Sequence, residues 1–419
     1  MKNFLLGLLG LFCLPLAAQR LPFNFDAKAI ITLSDADMVS SAYIDGHLKT
    51  EPGVTDALTV IRWDSLVTQI DVQSLEVPNS VTNWVDGMDI SNDGKVAFVI
   101  DTKKSLPRSI QQVSNVSEGL PDGNILYAID IANLSQPKLI AHIQVGNNPL
   151  SVDVNPKNGH LLVINRENNN EINIIPWQNN QFGLIEILAL NDPENVITHG
   201  NWHPNGQDFA VTIEPAMAVQ FYRNTTDGIA TNGDRLSLGG YIGAGQFSKN
   251  GQYYLIPDLQ WNEGYDKQGA LLSVKFSAVG QHQLVGRQAV GISPEGFALS
   301  PNGQLIAVSN MGTTFMPIDF PLFGQSASIS LLQFDETNGQ FQLLDTQSWD
   351  GVLPEGITFD EDGDMLAVTS FDYLDLTERK AAVSFWEIKN DSGKNYLQNT
   401  GFKLSVTRGC HYVKVTGVK

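Results

Sequence analysis

The chain has 419 residues, of which 42 % are hydrophobic, 17 % are charged and 37 are glycine. That is enough apolar matter for a core, which argues against wholesale disorder, and scarce charge with abundant glycine suits many strands joined by tight turns. A formal net charge of −19 at pH 7 speaks against nucleic acid and anionic membrane surfaces as partners and favours cations or neutral polar ligands.

The chain opens with MKNFLLGLLGLFCLPLAAQ. Lys2 supplies a basic end, Phe4 to Leu16 an apolar run, and Ala17-Ala18 a cleavage site. The pattern predicts a secretory signal peptide over 1–18 and export of residues 19–419 to the periplasm or the cell exterior. Phe12 stands where a lipobox wants a small residue before Cys13, so lipid attachment is not expected. Losing Lys2 takes the 26 basic residues to 25 against 45 acidic ones, a net −20, and leaves Cys410 as the one thiol. No C-x-x-C or C-x-x-C-H is present for zinc, redox or haem chemistry, and no later run is long and apolar enough to span a bilayer.

Three strands are expected next, over 38–45 (MVSSAYID), 57–63 (ALTVIRW) and 67–75 (VTQIDVQSL). A repeat follows: an apolar strand, a turn ending in Asn-Gly or Asp-Gly, and a second apolar strand. Its turns are SNDG (91–94), PKNG (156–159), HPNG (203–206), SKNG (248–251), SPNG (300–303) and DEDG (360–363), spaced 45 to 65 residues apart. Gly supplies the positive φ of such hairpins, and Asn or Asp tolerates the position before it. Two further strand-like runs separate one hairpin from the next, as SISLLQF (328–334) and FQLLDTQSW (341–349) do in the fifth unit. Each unit is thus a four-stranded antiparallel sheet, and such a period means a propeller. The six units end near residue 404, and GCHYVKV (409–415) resembles an innermost strand with nothing after it. Pairing it with the three N-terminal strands closes a seventh blade and covers edges that would otherwise be exposed. The fold class is all-β, one seven-bladed propeller, with no linker to divide it.

The strand–turn–strand grammar of SPNGQLIAVSN resembles the seven-bladed lactonase-like superfamily, which includes 6-phosphogluconolactonase-type proteins and YVTN-type surface repeats. The resemblance covers essentially the whole mature chain. It implies the fold, whereas blades of this kind host many functions.

In a propeller the starts of the inner strands and the ends of the second strands share one face. The starts are Asp86, Leu150, Thr198/His199, Gly243, Glu295, Glu355 and Arg408; the ends are Asp45, Asp101, Asn165, Glu214, Asp258, Asn310 and Asp372. Carboxylates around one mouth repel, so something must offset them. Three readings stand beside one another. The acids can cap turns. They can hold Ca²⁺ or another divalent cation, with Asp86, Glu295, Glu355, Asn310, Asp258 and Asp372 as oxygen ligands. Or they can form a metal-free catalytic mouth in which Glu295, Glu355 or His199 moves protons and Arg408 or Arg166 holds an oxyanion. His411 also falls near the mouth, and His203 in a turn at the far end. No G-x-S-x-G, H-E-x-x-H or P-loop occurs, and no nucleotide, haem or flavin is indicated.

The long segments 102–123, 258–267, 310–325 and 371–380 are expected to overhang the same mouth with Trp261, Tyr265, Phe315, Phe320, Phe323, Phe371 and Tyr373. Aromatic faces beside carboxylates suit a small organic or carbohydrate-like ligand. The resemblance then implies an exported hydrolase that opens a cyclic ester, although so acidic a chain suits an anionic phospho-sugar poorly. The alternative is a non-enzymatic propeller that docks a partner protein or a cell-surface glycan. A weaker third reading is the large subunit of a periplasmic dehydrogenase.

Overall fold

The computed structural model describes residues 21–63, 70–80, 82, 86–372 and 380–417; the expected signal peptide and Tyr373 lie outside them. All six hairpin glycines have left-handed backbone, with φ between +70° and +78°. The first residue of the turn then ties the hairpin shut. Ser91, Ser248 and Ser300 accept through Oγ from the N–H of Val96, Tyr253 and Leu305 at 3.0, 3.1 and 2.9 Å. Asp360 Oδ1 does the same for Met365 at 3.1 Å. The signal legible in the sequence is therefore a complete local device of glycine plus a side-chain acceptor.

Seven antiparallel blades result. Blade 2 runs from the inner strand Met88–Ile90 outward through Val96–Lys103, Asp122–Asp130 and Lys138–Gln144. Blades 3 to 7 begin at the inner strands Pro149–Val154, Val196–Trp202, Gln246–Phe247, Pro294–Leu299 and Ile357–Phe359. Blade 1 closes the ring: Cys410–Thr416 is innermost and pairs with Ala29–Ser34, which is followed by Ala57–Trp63 and Ile70–Glu76. Among the described residues no helix is long and apolar enough to cross a membrane.

One expected strand is corrected. The partner of the C-terminal strand is AIITLS at 29–34, not MVSSAYID at 38–45. The β-branched run Ile30, Ile31 and Thr32 is buried throughout, whereas Ala42–Asp45 forms one helical turn. Gly46 ends that turn at φ +68°, its N–H bonded to Ala42 O at 2.9 Å, and a Cβ there would lie 1.9 Å from Val113 O. Asp45-Gly46 is thus a helix stop, although it has the composition of a hairpin turn.

The core lies between neighbouring blades. Ala307, Ile329 and Leu331 of blade 6 pack on Leu366, Val368 and Trp386 of blade 7. At the closure, Phe25, Ile30 and Ile61 meet Val383, Phe385, Cys410 and Val413. A separate apolar layer roofs one end of the channel. It joins Met38, Ala42 and Leu48 to Val116, Leu120, Leu259, Met311, Phe315, Leu353 and Phe371. The overhanging segments expected from their length therefore cohere into a cap.

Candidate active site at the capped mouth

Three inner strands start with the same irregularity. In blade 3, Pro149 pairs with Asn165 and Ser151 with Ile164, so Leu150 is an extra residue. In blade 4, Ile197 pairs with Ile213 and His199 with Thr212, which leaves Thr198 extra. In blade 6, Pro294 pairs with Asn310 and Phe297 with Val308, which leaves one of Glu295 and Gly296 extra. Each is a β-bulge, and a bulge re-aims the side chain it carries. Leu150, Thr198 and Glu295 all line one cavity of about 290 Å³ beneath the cap. Glu355, just before the inner strand of blade 7, lines it too. The glycine after each glutamate lets neighbouring inner strands close up: a Cβ on Gly296 would sit 1.7 Å from Glu355 O, and one on Gly356 2.9 Å from Val413 N.

The rest of the cavity wall comes from Arg166, Glu214, Tyr43, Tyr241, Met311 and the aromatic roof. Trp261 sits at the centre of that roof, its ring 5.3 Å from Tyr241, 5.2 Å from Tyr265 and 5.9 Å from Phe315. Its Nε1 donates to Ser293 Oγ at 2.9 Å.

The electrostatics of this cavity are those of carboxyls kept from water. Glu295 and Glu355 are 5 % and 4 % exposed. Burial pushes Glu295 up to about 8. Burial, then the charges of Glu295 and Asp35, drives Glu355 well above the usual carboxyl range. The phenol of Tyr43 is raised by burial and then by Glu355, Asp35 and Glu295. Among the described residues, Glu355 Oε2 and Thr198 Oγ1 are buried with no hydrogen-bond partner. Such atoms are costly unless something else meets them, and both belong to residues that line the cavity.

The other sequence candidates lie elsewhere. His199, next to the bulged Thr198, turns away into the channel wall. Its Nδ1 lies 2.8 Å from Asp86 Oδ2 and its Nε2 2.7 Å from Gly245 O. Burial would depress this imidazole, but Asp86, the Gly245 carbonyl and Asp153 together carry it above its usual range. Both ring nitrogens are thus engaged in the channel wall, and His199 does not line the mouth cavity. Arg408 is fully buried and donates to Ala36 O and Lys49 O at 2.7 and 2.8 Å, clasping the N-terminal segment. Asp258 pairs with Arg287 at 2.8 Å. Asn310 bonds within its own blade, to Ser328 and Ser330. Asp372 accepts from Ser40 N at 2.8 Å and lines a different cavity, with Asp45. The six proposed cation ligands thus do not converge; only Glu295 and Glu355 share the mouth cavity. His411 Nε2 lies 3.0 Å from Asn79 Oδ1, with its imidazole pushed down to about 3 by burial. His203 ties its turn to the next one through Gly251 O at 2.8 Å. Sequence reasoning missed Tyr43 and Tyr241 as wall residues. The stop signal at Gly46, read correctly, would have placed Tyr43 on a cap helix.

The far half of the channel is built differently. Asp89, Asp153 and Asn201 accept, through Oδ, the N–H of Val154, Trp202 and Phe247 on the next inner strand at 2.7, 2.6 and 3.0 Å. Lys414 of the closing strand bonds to Asp89. A chain of side-chain hydrogen bonds thus runs from blade 1 to blade 5.

No protein-family model matches this sequence, and no curated protein matches it. Solved structures do match. A candidate 6-phosphogluconolactonase from Bacteroides fragilis aligns with TM-score 0.65 at 13 % identity over 93 % of this chain and 98 % of its own. Another from Bacteroides uniformis gives 0.63 at 12 %, over 93 % and 99 %. A periplasmic gluconolactonase from Pseudomonas aeruginosa gives 0.63 at 13 %, again over 93 % and 99 %. With coverage nearly complete on both sides and identity this low, the likeness is one of fold. The chain is a seven-bladed β-propeller, similar in fold to these three solved structures.

Proposed function

We propose that this protein is an exported lactonase-like hydrolase that opens a neutral cyclic ester in the capped cavity. The observation that carries the reading is the pair of buried carboxyls at the bulged and pre-strand positions. Glu355 Oε2 has no hydrogen-bond partner among the described residues, and Thr198 and Arg166 line the same wall. Two adjacent carboxyls that cannot both ionise readily at neutral pH divide acid and base roles between them. The ionised one takes a proton from water as the water oxygen attacks the acyl carbon. The neutral one gives its proton to the ring oxygen as the acyl C–O bond breaks, so a hydroxy acid leaves and the pair returns to one proton. Arg166 replaces Arg408 as the residue suited to steady the carbonyl oxygen as charge develops on it. The aromatic roof suits a flat, uncharged ring, and the acid-rich wall disfavours a phosphorylated one. Export fits the apolar N-terminal segment and the periplasmic description of the Pseudomonas relative.

The test is a panel of neutral sugar and aliphatic lactones, assayed with the purified chain and with the double variant Glu295→Gln, Glu355→Gln. Hydrolysis of at least one lactone is expected, falling by about 10²-fold or more in the variant, the usual worth of a positioned acid or base. Activity that survives the double change removes these glutamates from the mechanism. No activity on any lactone favours the docking alternative. That reading draws on Ile318, Phe320 and Leu322, which are 59, 46 and 41 % exposed on one overhanging segment.

A further inference from the structure

Among the described residues, Asp35, Asp37 and Asp56 form a group whose ligand oxygens all lie within 4.8 Å of one another, and none of the three was a sequence candidate. Backbone donors aim them. Asp35 Oδ1 accepts from Asp37 N at 2.9 Å, and Asp56 accepts from Ala36 N and Asn79 N at 2.9 and 3.2 Å. Asp37 and Asp56 face a cavity of about 350 Å³. Asp101, from the second strand of blade 2, lines the same cavity. It is 3 % exposed, and its Oδ1 has no hydrogen-bond partner among the described residues. A buried carboxylate oxygen left unmet opposite three clustered carboxylates is not a turn cap; turn caps satisfy backbone donors.

Five acidic residues line this cavity, Asp37, Glu51, Asp56, Glu76 and Asp101, against two basic ones, Lys104 and Arg108, so its wall favours a cation. The group offers only oxygen donors, which suits a hard cation and not a transition metal that prefers nitrogen or sulfur. We propose that Asp35, Asp37 and Asp56, with Asp101 opposite, bind a Ca²⁺-type divalent cation at the seam of the ring. The site fastens the segment just after the closing pair to blade 2. Asp35 N donates to Gly409 O at 2.9 Å, so the cation would sit beside the point where the C-terminal strand enters. This site does not depend on the hydrolase reading.

The experiment uses the full purified chain, stripped with chelator and then titrated with Ca²⁺. Calorimetry should show saturable binding, and the melting temperature should rise by about 2 °C or more once Ca²⁺ is ~100-fold above its Kd. The double variant Asp37→Asn, Asp56→Asn should lose both responses. In chelator it should melt at or above the wild-type chelator value, because the clustered charge is gone. If that variant fails to fold, Asp101→Asn alone must weaken Ca²⁺ binding by at least about tenfold. The proposal is overturned if the wild type shows neither heat nor a melting shift, if the double variant responds as the wild type does, or if Asp101→Asn leaves the affinity unchanged.

Discussion

The two halves of the central channel both hold carboxyl side chains, but their oxygens are met differently. In the far half, Asp86 lies 2.8 Å from His199 Nδ1, Asp89 bonds to Lys414, and Asp153 accepts an N–H from the next blade. In the capped half, Glu295 and Glu355 are more deeply buried than Asp86, yet Glu355 retains an oxygen with no hydrogen-bond partner among the described residues. A carboxylate next to a channel says little by itself; whether its oxygens are already answered separates structure from chemistry.

The sharpest break of this comparison is in the far half. Lys414→Met removes the cation from a buried aspartate and, with the Lys414 side chain itself 38 % exposed, should destabilise the fold by about 1–3 kcal/mol, read by denaturant unfolding. A loss below about 1 kcal/mol would mean that this ring is not structural. The matching change at the mouth, Glu355→Gln, should leave stability within about 1 kcal/mol of wild type or raise it, since it removes a carboxyl that burial disfavours.

Proton uptake sharpens the contrast next. In the folded state Glu295 keeps its proton up to about 8, far above the unfolded carboxyl range. Folding therefore takes up protons, and stability falls as pH rises from the ordinary carboxyl pKa toward that value. Glu355, raised in the same direction, adds to the fall. Replacing both with Gln should flatten the stability-versus-pH curve by up to about 1.4 kcal/mol per pH unit for each carboxyl removed. The residual slope belongs to groups such as Asp153, pushed up to about 8 by burial and then by Asp89. Urea unfolding at pH 5, 6, 7 and 8 measures this, and an unchanged slope would show that the mouth glutamates ionise normally.

The smallest effect concerns the roof. Trp261→Phe keeps a ring over the cavity but loses the bond to Ser293 Oγ. Substrate KM should rise about 3- to 10-fold with kcat nearly unchanged, because one neutral hydrogen bond contributes about 1 kcal/mol.

Most of the ring could be read in the sequence because its signals are local. Each hairpin glycine acts within its own turn, and all six take the positive φ expected of them. The Ser or Asp that begins four of the turns adds a side-chain acceptor that the sequence reading did not include. Closure followed from the unpartnered strand GCHYVKV, and Cys410–Thr416 does occupy that place. The site was only half legible because it turns on a single residue of register. Thr198 and His199 are neighbours, and the bulge sends the first to the cavity and the second to Asp86. Nothing in THGNW announces that extra residue. Arg408 was placed at the mouth by its position before an inner strand, but its guanidinium answers the carbonyls of Ala36 and Lys49, which lie more than 350 residues earlier in the chain. A partner that remote leaves no trace in local sequence.

The closing blade borrows its innermost strand from the opposite terminus, which has a consequence for biogenesis. The hydrogen bonds that lock Ala29–Ser34 cannot form until Cys410–Thr416, about 380 residues later, has been synthesised and delivered. Up to that moment the nascent polypeptide is an open arc with an unlatched first sheet. The entropic toll of joining such distant segments grows only logarithmically with length, so the latch can form late without forfeiting its hold.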